Sequence, residues 1–417
     1  MPSVATLSAS SAILKLRYPD GRLPKALYDK GKFKFFGLVQ KREDWTGDNR
    51  QVALMNENPQ GISADYSTAL GSMAQGTYNK FSVPRVEYFG VARIKGQALA
   101  AAQGNPGALT DLWKTETDQV TFQLQQDLEA LAFGLGDGIF GRISSGSTVS
   151  SASVTLATVE DAAKFTLGMR VQAVSTTGLS PTVRAGYATI SGVDRVAGTL
   201  TVSTTWSGQV PTVTAGDYLV RAGNAASSGT GVVPTGTKGW VPGGSSPGTL
   251  HGLPRNSDPV RLAGQQYDAT GVPYEEALVE ASARVAQQGA PQPEIAICHP
   301  RDIANFKKAI GSKVTYPRTA VPSQMAGVSF TGIEVEGDES KIALMASPFV
   351  GRNECHMLSA DSWVIDSTGP APHMLQYDGP NFLRVASDDA YEVRFGMYGN
   401  YICNLPFANI IVTNFGA

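Results

Sequence analysis

Few side chains in this sequence have the type and spacing that chemistry needs. It contains three cysteines, Cys298, Cys355 and Cys403, and four histidines, His251, His299, His356 and His373. Two of them form adjacent pairs, Cys298-His299 and Cys355-His356. Neighbouring residues on a strand point to opposite faces, so neither pair can chelate one ion as a unit. Each cysteine lies in an apolar run at wide separation from the others, which fits buried thiols with a histidine at the strand boundary. No metal site is expected. A Ser/His/acid mechanism would need a nucleophile elbow of the G-x-S-x-G kind, and none accompanies the histidines. No phosphate loop occurs either. Gly134-Leu135-Gly136-Asp137-Gly138 follows a helical pattern instead of a strand, so it reads as a helix end. The sequence offers no enzyme and calls for no cofactor.

Two clusters of cations remain. Lys80, Arg85, Arg93 and Lys95 lie on a β segment and could pair with Glu116, Asp118, Asp127 and Glu129 of a long helix, across subunits; solvated strand charges are the equal alternative. Arg301, Lys307, Lys308 and Lys313 could touch nucleic acid, although four such cations more often form a solvated face. With 34 basic and 36 acidic residues the net charge is −2, which argues against a chain whose main task is gripping nucleic acid.

The elements that position these groups come from a chain of 417 residues, too long for one core. Its 45 glycines and 24 prolines with 17% charged residues indicate a folded, loop-rich protein. It has no basic leader with an apolar core and no apolar run of about 18 residues, so it reads as neither secreted nor membrane-spanning. A reducing cytoplasm is the expected site of folding.

The dominant element is a helix expected over 106–133. Asn105 serves as N-cap, Pro106 fits the first helical position, and Gly134 and Gly136 end it. Trp113, Thr117, Val120, Leu124, Leu128, Leu131 and Leu135 form one stripe, opposite Lys114, Glu116, Asp118, Gln125, Gln126 and Glu129. Before it, residues 1–45 read as an extended arm whose aromatics pack on something. Strands at 51–55 and 78–94 form a long two-stranded excursion around the small-residue segment 58–75, which must lie on another surface to be stable. After the helix, short β runs at 154–158, 169–174, 187–193, 199–203 and 218–221 mark a small all-β module. Its flanks, 144–147 and 223–248, read as flexible linkers, the second anchored by Trp240. An α/β section follows, with a helix over 273–288, strands at 294–298, 330–335, 341–345, 354–358 and 362–365, and a closing sheet over 390–415.

This order resembles the major capsid protein of tailed bacteriophages. The resemblance rests on Asn58-Pro59-Gln60-Gly61-Ile62-Ser63-Ala64, on Gly107-Ala108-Leu109 opening the helix, on Pro293-Glu294-Ile295-Ala296-Ile297-Cys298-His299-Pro300, and on the closing strand from Arg384 to Arg394. It covers residues 1–142 and 250–417; the β module is similar to the insertion domains of several such proteins. The implied fold is α+β: an N-terminal arm (1–45), an E-loop (46–98), the spine helix of the peripheral domain (99–142), an inserted barrel-like all-β domain (143–223), a linker (224–256), an axial domain (257–380) and C-terminal peripheral-domain strands (381–417).

The resemblance implies a structural head protein that self-assembles into pentamers and hexamers of an icosahedral shell around double-stranded DNA. Scaffolding, portal and decoration proteins are implied as further partners, with non-specific DNA contact on the inner face and no membrane. The implied location is the virion, after assembly in the host cytoplasm. The arm begins near Met1, so scaffold is expected to be a separate protein or already cleaved; no Lys and Asn pair aligns for cross-linking. The expected intersubunit contacts are Phe33, Phe35, Phe36, Trp45, Lys80, Phe81, Arg85, Tyr88 and Arg93. The β module is expected to fold autonomously and project outward. The alternatives are an encapsulin-like compartment shell and a β-rich tail or adhesin protein.

Overall fold

The computed structural model describes residues 33–97, 106–226, 229, 231–310, 333–336, 341–376 and 383–416. Asn105, Lys313, residues 1–32 of the arm and the start of the strand expected at 330 lie outside the described residues.

In chain order, a short helix α1 (Lys34–Leu38) leads into β1 (Gln40–Arg42) and β2 (Asn49–Glu57). Helix α2 (Tyr66–Gly71) sits at the tip before β3 (Thr77–Pro84) and β4 (Val86–Lys95). The spine helix α3 (Pro106–Ala132) follows. The module contains β5 (Ile139–Arg142), β6 (Ser153–Thr155), β7 (Arg170–Val174), β8 (Ala188–Asp194), β9 (Thr199–Val202), helix α4 (Trp206–Gln209) and β10 (Tyr218–Arg221). Then come α5 (Thr237–Trp240), a small hairpin of β11 (Thr249–Leu250) and β12 (Leu253–Pro254), α6 (Pro259–Ala263), β13 (Gln265–Asp268) and α7 (Tyr274–Gln287). The remainder is β14 (Ile295–Cys298), α8 (Pro300–Ile310), β15 (Ile333–Glu336), β16 (Lys341–Ala346), β17 (Glu354–Leu358), β18 (Trp363–Ser367), β19 (His373–Met374), β20 (Leu383–Arg384), β21 (Ala390–Cys403) and β22 (Ile410–Thr413).

The spine helix starts and stops within a residue of its sequence expectation. It lies on a sheet built around β21, which pairs with β4 on one edge and with β18, β19 and β20 on the other; β1 adds in parallel to β18. Close approach is possible because Gly90 of β4 has no side chain; a Cβ there would press on Val120 and Leu124 of α3. Leu124, Leu128 and Leu131 are buried as the stripe requires, but Leu135, beyond the helix, is exposed. Glu129, placed by its charge on the polar face, is fully buried.

The excursion also differs from expectation. What reads as one strand over 78–94 is two, broken at Pro84-Arg85. Proline has no N–H for a ladder and restricts the residue before it, so the chain leaves one sheet and enters another. Here β3 pairs with β2 as an isolated hairpin, whereas β4 belongs to the spine sheet. The E-loop is therefore the hairpin alone.

The inserted module is a closed barrel in strand order β5-β10-β7-β8-β9-β6. The ring closes where Ile143 bridges Leu156, with Ala157 N–H donating to the Arg142 carbonyl at 2.8 Å and Ser144 N–H to the Thr155 carbonyl at 2.9 Å. Register shifts at Ile190/Gly192 and Leu219/Val220 supply the bends that a small barrel needs. Alternate residues fill it: Phe140, Val154, Phe165, Val171, Ile190, Leu200 and Leu219, all buried. Because β5 is a barrel strand, the module begins at Ile139 and not at 143.

Its return path is no free linker. Trp240 Nε1 donates to the Tyr401 carbonyl (2.9 Å), Thr235 N–H to Asn400 Oδ1 (2.8 Å), and the buried Arg255 guanidinium to the carbonyls of Gly239, Trp240 and Pro247. Gly236 is pressed so close that a Cβ would collide with the carbonyl oxygens of Leu131, Ala132 and Gly134. Residues 231–256 thus cover the C-terminal end of the spine helix.

A mixed sheet, β13-β22-β17-β14-β16-β15, forms the core of the region expected as the axial domain. One face (Ala296, Cys298, Leu344, Cys355, Met357, Val412) is covered by α7 and α8; the other (Ile295, Ile297, Met345, Leu358, Ile411) joins the main core. The C-terminal region corrects the assignment of 381–417 to one domain. Strand β21 closes the spine sheet, but β22 crosses into the axial sheet, and β18 and β19, expected in the axial domain, belong to the spine sheet.

Candidate assembly surface and internal clamps

Six of the nine residues expected at subunit contacts are buried in their own chain. Phe33 packs on Phe122 at 5.2 Å between ring centroids, and Phe36 on Tyr401 at 6.0 Å. Phe35 is enclosed by Phe133, Trp363 and Tyr401 at 6.2, 5.6 and 5.4 Å. Phe81 stacks edge-on against Trp240 at 5.1 Å, and Trp45 is likewise buried. Tyr88 donates its hydroxyl to Asp127 Oδ2 (3.2 Å) and accepts from Asn224 Nδ2 (3.0 Å). These rings fill the chain's own core, so they cannot be the surface offered to a neighbour. Of the cations, Arg93 pairs with Glu392 in the same subunit (2.8 Å), while Lys80 and Arg85 are exposed.

Two of the four acidic partners expected for those cations, Asp127 and Glu129, are used internally too. Asp127 receives Arg221 at 2.7 Å and Gln123 at 2.9 Å, joining the spine helix to the last barrel strand; burial pushes its carboxyl up although Arg221 opposes this. Both oxygens of Glu129 accept main-chain N–H groups of the arm, from Phe35 (2.9 Å) and Phe36 (3.0 Å).

An exposed apolar surface does exist, at the tip of the E-loop hairpin. Ile62 and Tyr66 are 90% and 79% exposed, and Met55, Leu70, Met73 and Tyr78 are more than half exposed. The tip is nonetheless built: Asp65 caps α2 by accepting the Thr68 N–H (2.8 Å), and Gln60 and Ala74 exchange main-chain bonds. Sequence reasoning passed over these residues because they are set among turn formers. The signal was present in Ile62, Tyr66, Leu70 and Met73, spaced by four, four and three, a helical period in a stretch read only as small residues.

The barrel is fastened to the axial domain by charge. Glu160 Oε1 receives Arg301 (3.2 Å) and Arg352 (3.3 Å), and Arg352 also pairs with the buried Asp302 (2.7 Å). Arg301, expected on a cationic face, is therefore engaged, while Lys307 and Lys308 remain exposed. Beside this clamp, a cavity of about 330 Å³ is bounded by Gly134, Asp137, Arg142, Lys238, Arg352 and His356.

His356 is a core residue, not a boundary one. Its Nδ1 lies 2.8 Å from Thr237 Oγ1 and its Nε2 2.9 Å from Glu354 Oε1, with Lys238 Nζ 2.9 Å from Glu354 Oε2. Burial would raise the Glu354 carboxyl, but Lys238 and His356 hold it down to about 2, while burial lowers His356 and keeps it neutral. Thr–His–Glu is the order of a nucleophile, base and orienting acid. Thr237 and His356 are both fully buried, and their bonds tie the segment after the barrel to β17. As the strand argument requires, Cys355 faces the α7/α8 core and His356 the spine side. Cys298, Cys355 and Cys403 are free and buried. Among the described residues no group of three or more His, Cys, Asp or Glu could hold a metal, and no helix is long and apolar enough to cross a membrane.

No protein-family model matches the sequence, and no curated protein is similar to it at the sequence level. Solved structures are similar over the whole chain. The capsid asymmetric unit of cyanophage A-1(L) superposes with a TM-score of 0.56 at 9% identity, covering 98% of this chain and 99% of that one. The capsid of the native GTA particle gives 0.51 at 8% identity, with all of both chains covered. The fold is that of a phage capsid subunit. The α+β expectation stands.

Proposed function

We propose that this chain is a major capsid protein, the repeated subunit of an icosahedral head that assembles as pentamers and hexamers around double-stranded DNA. The observation that carries the reading is the E-loop tip, which holds six large apolar side chains in water on a hairpin whose strands bury Val52, Leu54, Phe81 and Val83 on their inner face. Large apolar side chains held in water on a built element mark a contact surface. A second copy of the chain is the partner that a shell fold supplies, and the near-neutral charge suits a wall that must neither repel nor trap packaged DNA. Lys80 in the middle of β3 and Arg85 at its base are exposed and are further candidates for contact with a neighbour.

Electron microscopy of the purified native assembly tests this. Closed icosahedral particles filled with DNA are expected; closed particles without nucleic acid would favour a compartment shell, and monomers or fibres would overturn the reading.

A further inference from the structure

Cys298 and Cys355, far apart in the sequence, stand directly opposite one another on the neighbouring antiparallel strands β14 and β17. Pairs in such a ladder alternate between those that exchange main-chain bonds and those that do not, and the second kind brings its side chains closer. The hydrogen bonds show which kind this is. The Cys298 carbonyl accepts the Ser347 N–H at the end of β16 (3.0 Å), on the side away from β17. The Asn353 carbonyl accepts the Asn414 N–H (2.8 Å), so Cys355, two residues on, turns its main chain the same way, towards Val412 of β22. Cys298 and Cys355 are therefore a pair without main-chain bonds between them, for which Cα atoms stand about 4.5 Å apart and Cβ atoms about as close. A disulfide spans Cα separations of about 4.4–6.8 Å and Cβ separations of about 3.5–4.5 Å, so the strands already hold the two residues near bridging distance. Both side chains lie on the face covered by α7 and α8, where the two thiols hydrogen-bond to each other. Cys403 belongs to the other core, 3.5 Å from Asn409 Nδ2.

We propose that Cys298 and Cys355 are a redox-sensitive staple: a dithiol under reducing conditions, and a cross-strand disulfide joining β14 to β17 once a peroxide reaches them. The peroxide gives one oxygen to the first sulfur, which becomes a sulfenic acid, and its other oxygen leaves as water. The second sulfur then displaces the hydroxyl, which departs with the second thiol's proton as another water. The two thiols lose two electrons in all, and the peroxide accepts them. A void of about 10 Å³ bounded by Leu278, Phe306 and Leu344 lies against Cys298, so this sulfur is the first that a small oxidant meets. Burial pushes the Cys298 thiol well above its ordinary 9.0, so thiolate is scarce and the first step is slow. The second step is fast, because the partner sulfur is already in contact. Once made, the bond closes a loop over residues 299–354 that includes α8, β15 and β16, and the unfolded chain loses the freedom of that loop.

Hydrogen peroxide added to the reduced full-length chain in native buffer tests this, read by digestion without reductant and mass spectrometry. The expected product is a pair of peptides joined through Cys298 and Cys355, lighter by two hydrogens than the separate peptides and parted by reductant, while Cys403 stays a thiol. In Cys355→Ala, Cys298 has no partner to resolve it and should take up two oxygens as the sulfinic acid. Should that variant fail to fold, the native chain still decides. Cys298 and Cys355 that remain thiols, or that are oxidised separately to sulfinic acids in the native chain, overturn the proposal. Oxidation of all three cysteines together reports unfolding and overturns it as well. The joined form should also unfold at higher denaturant, its unfolding equilibrium lowered on the order of 100-fold and restored by reductant. A disulfide that leaves the midpoint unchanged is no staple, and that result too overturns the proposal.

Discussion

The arm segment at 33–45 and the E-loop tip at 58–75 invite opposite predictions from their composition. The arm is aromatic and basic and reads as a contact surface; the tip is made of small and turn-forming residues and reads as a connector. The structure reverses both. Phe33, Phe35, Phe36 and Trp45 are buried in their own subunit, while Ile62, Tyr66 and Met73 stand in water. Composition reports how much apolar surface a segment has to bury, not whose surface will cover it. What decides is reach. The arm passes the spine helix, where Glu129 receives its main chain, whereas the tip is carried away from the core by a nine-residue strand, β2, and its partner.

The comparison is broken most sharply by Phe35→Ala. Truncating a fully buried ring should cost about 3–5 kcal/mol, and Leu128→Ala on the facing helix about 2–5 kcal/mol, by denaturant unfolding of the dissociated subunit. A loss below about 0.5 kcal/mol for either would place that side chain on the surface.

The junction behind the arm supplies the next effect, through pH. Glu354 is held at about 2 against an ordinary 4.5, so its contribution is present above about pH 4.5 and is lost as pH falls through 2. Unfolding free energy should therefore drop by about 3 kcal/mol over that window. In Glu354→Gln this acid-dependent loss should disappear; if the slope is unchanged, another carboxylate causes it.

Smallest in the subunit, yet largest in the assembly, is a polar tip. Ile62→Asp with Tyr66→Ser should change subunit stability by less than about 0.5 kcal/mol. If the tip seats in a neighbour, loss of about 2 kcal/mol per contact raises the concentration needed for assembly roughly 30-fold, readable by sedimentation. Equal assembly of variant and native chains would remove the tip from the interface.

Much of the fold was legible because long periodic elements leave strong signals. Capping residues and a leucine stripe place α3, and alternating Val, Ile and Thr between glycines place five of the six barrel strands, as at Tyr218–Arg221, but not β5. What failed depended on partners distant in sequence. Glu129 looks like a solvated charge until the arm's N–H groups arrive to meet it. The stretch at 231–256 looks like a linker until the carbonyl end of the spine helix requires a cover. Pro84 was visible, but which sheet each half joined was settled by pairing with β21, some three hundred residues later. The surface at the tip was missed for a simpler cause: a helical period of four residues is faint against its turn-forming neighbours.

The crossing of the chain from β21 to β22 has a consequence for how the subunit is made. β21 runs through the middle of the spine sheet, and β22 lies between β13 and β17 in the axial sheet. Asn409, between them, bonds to the Ser359 main chain, Ser362 and the Trp363 indole, so both sheets are locked together at one residue. During synthesis neither sheet can close until these two strands leave the ribosome, whereas the β2–β3 hairpin and the barrel, built from residues 139–221, have all their strands in hand earlier. The frame that carries the E-loop hairpin is therefore complete only after residues 390–413 have been made.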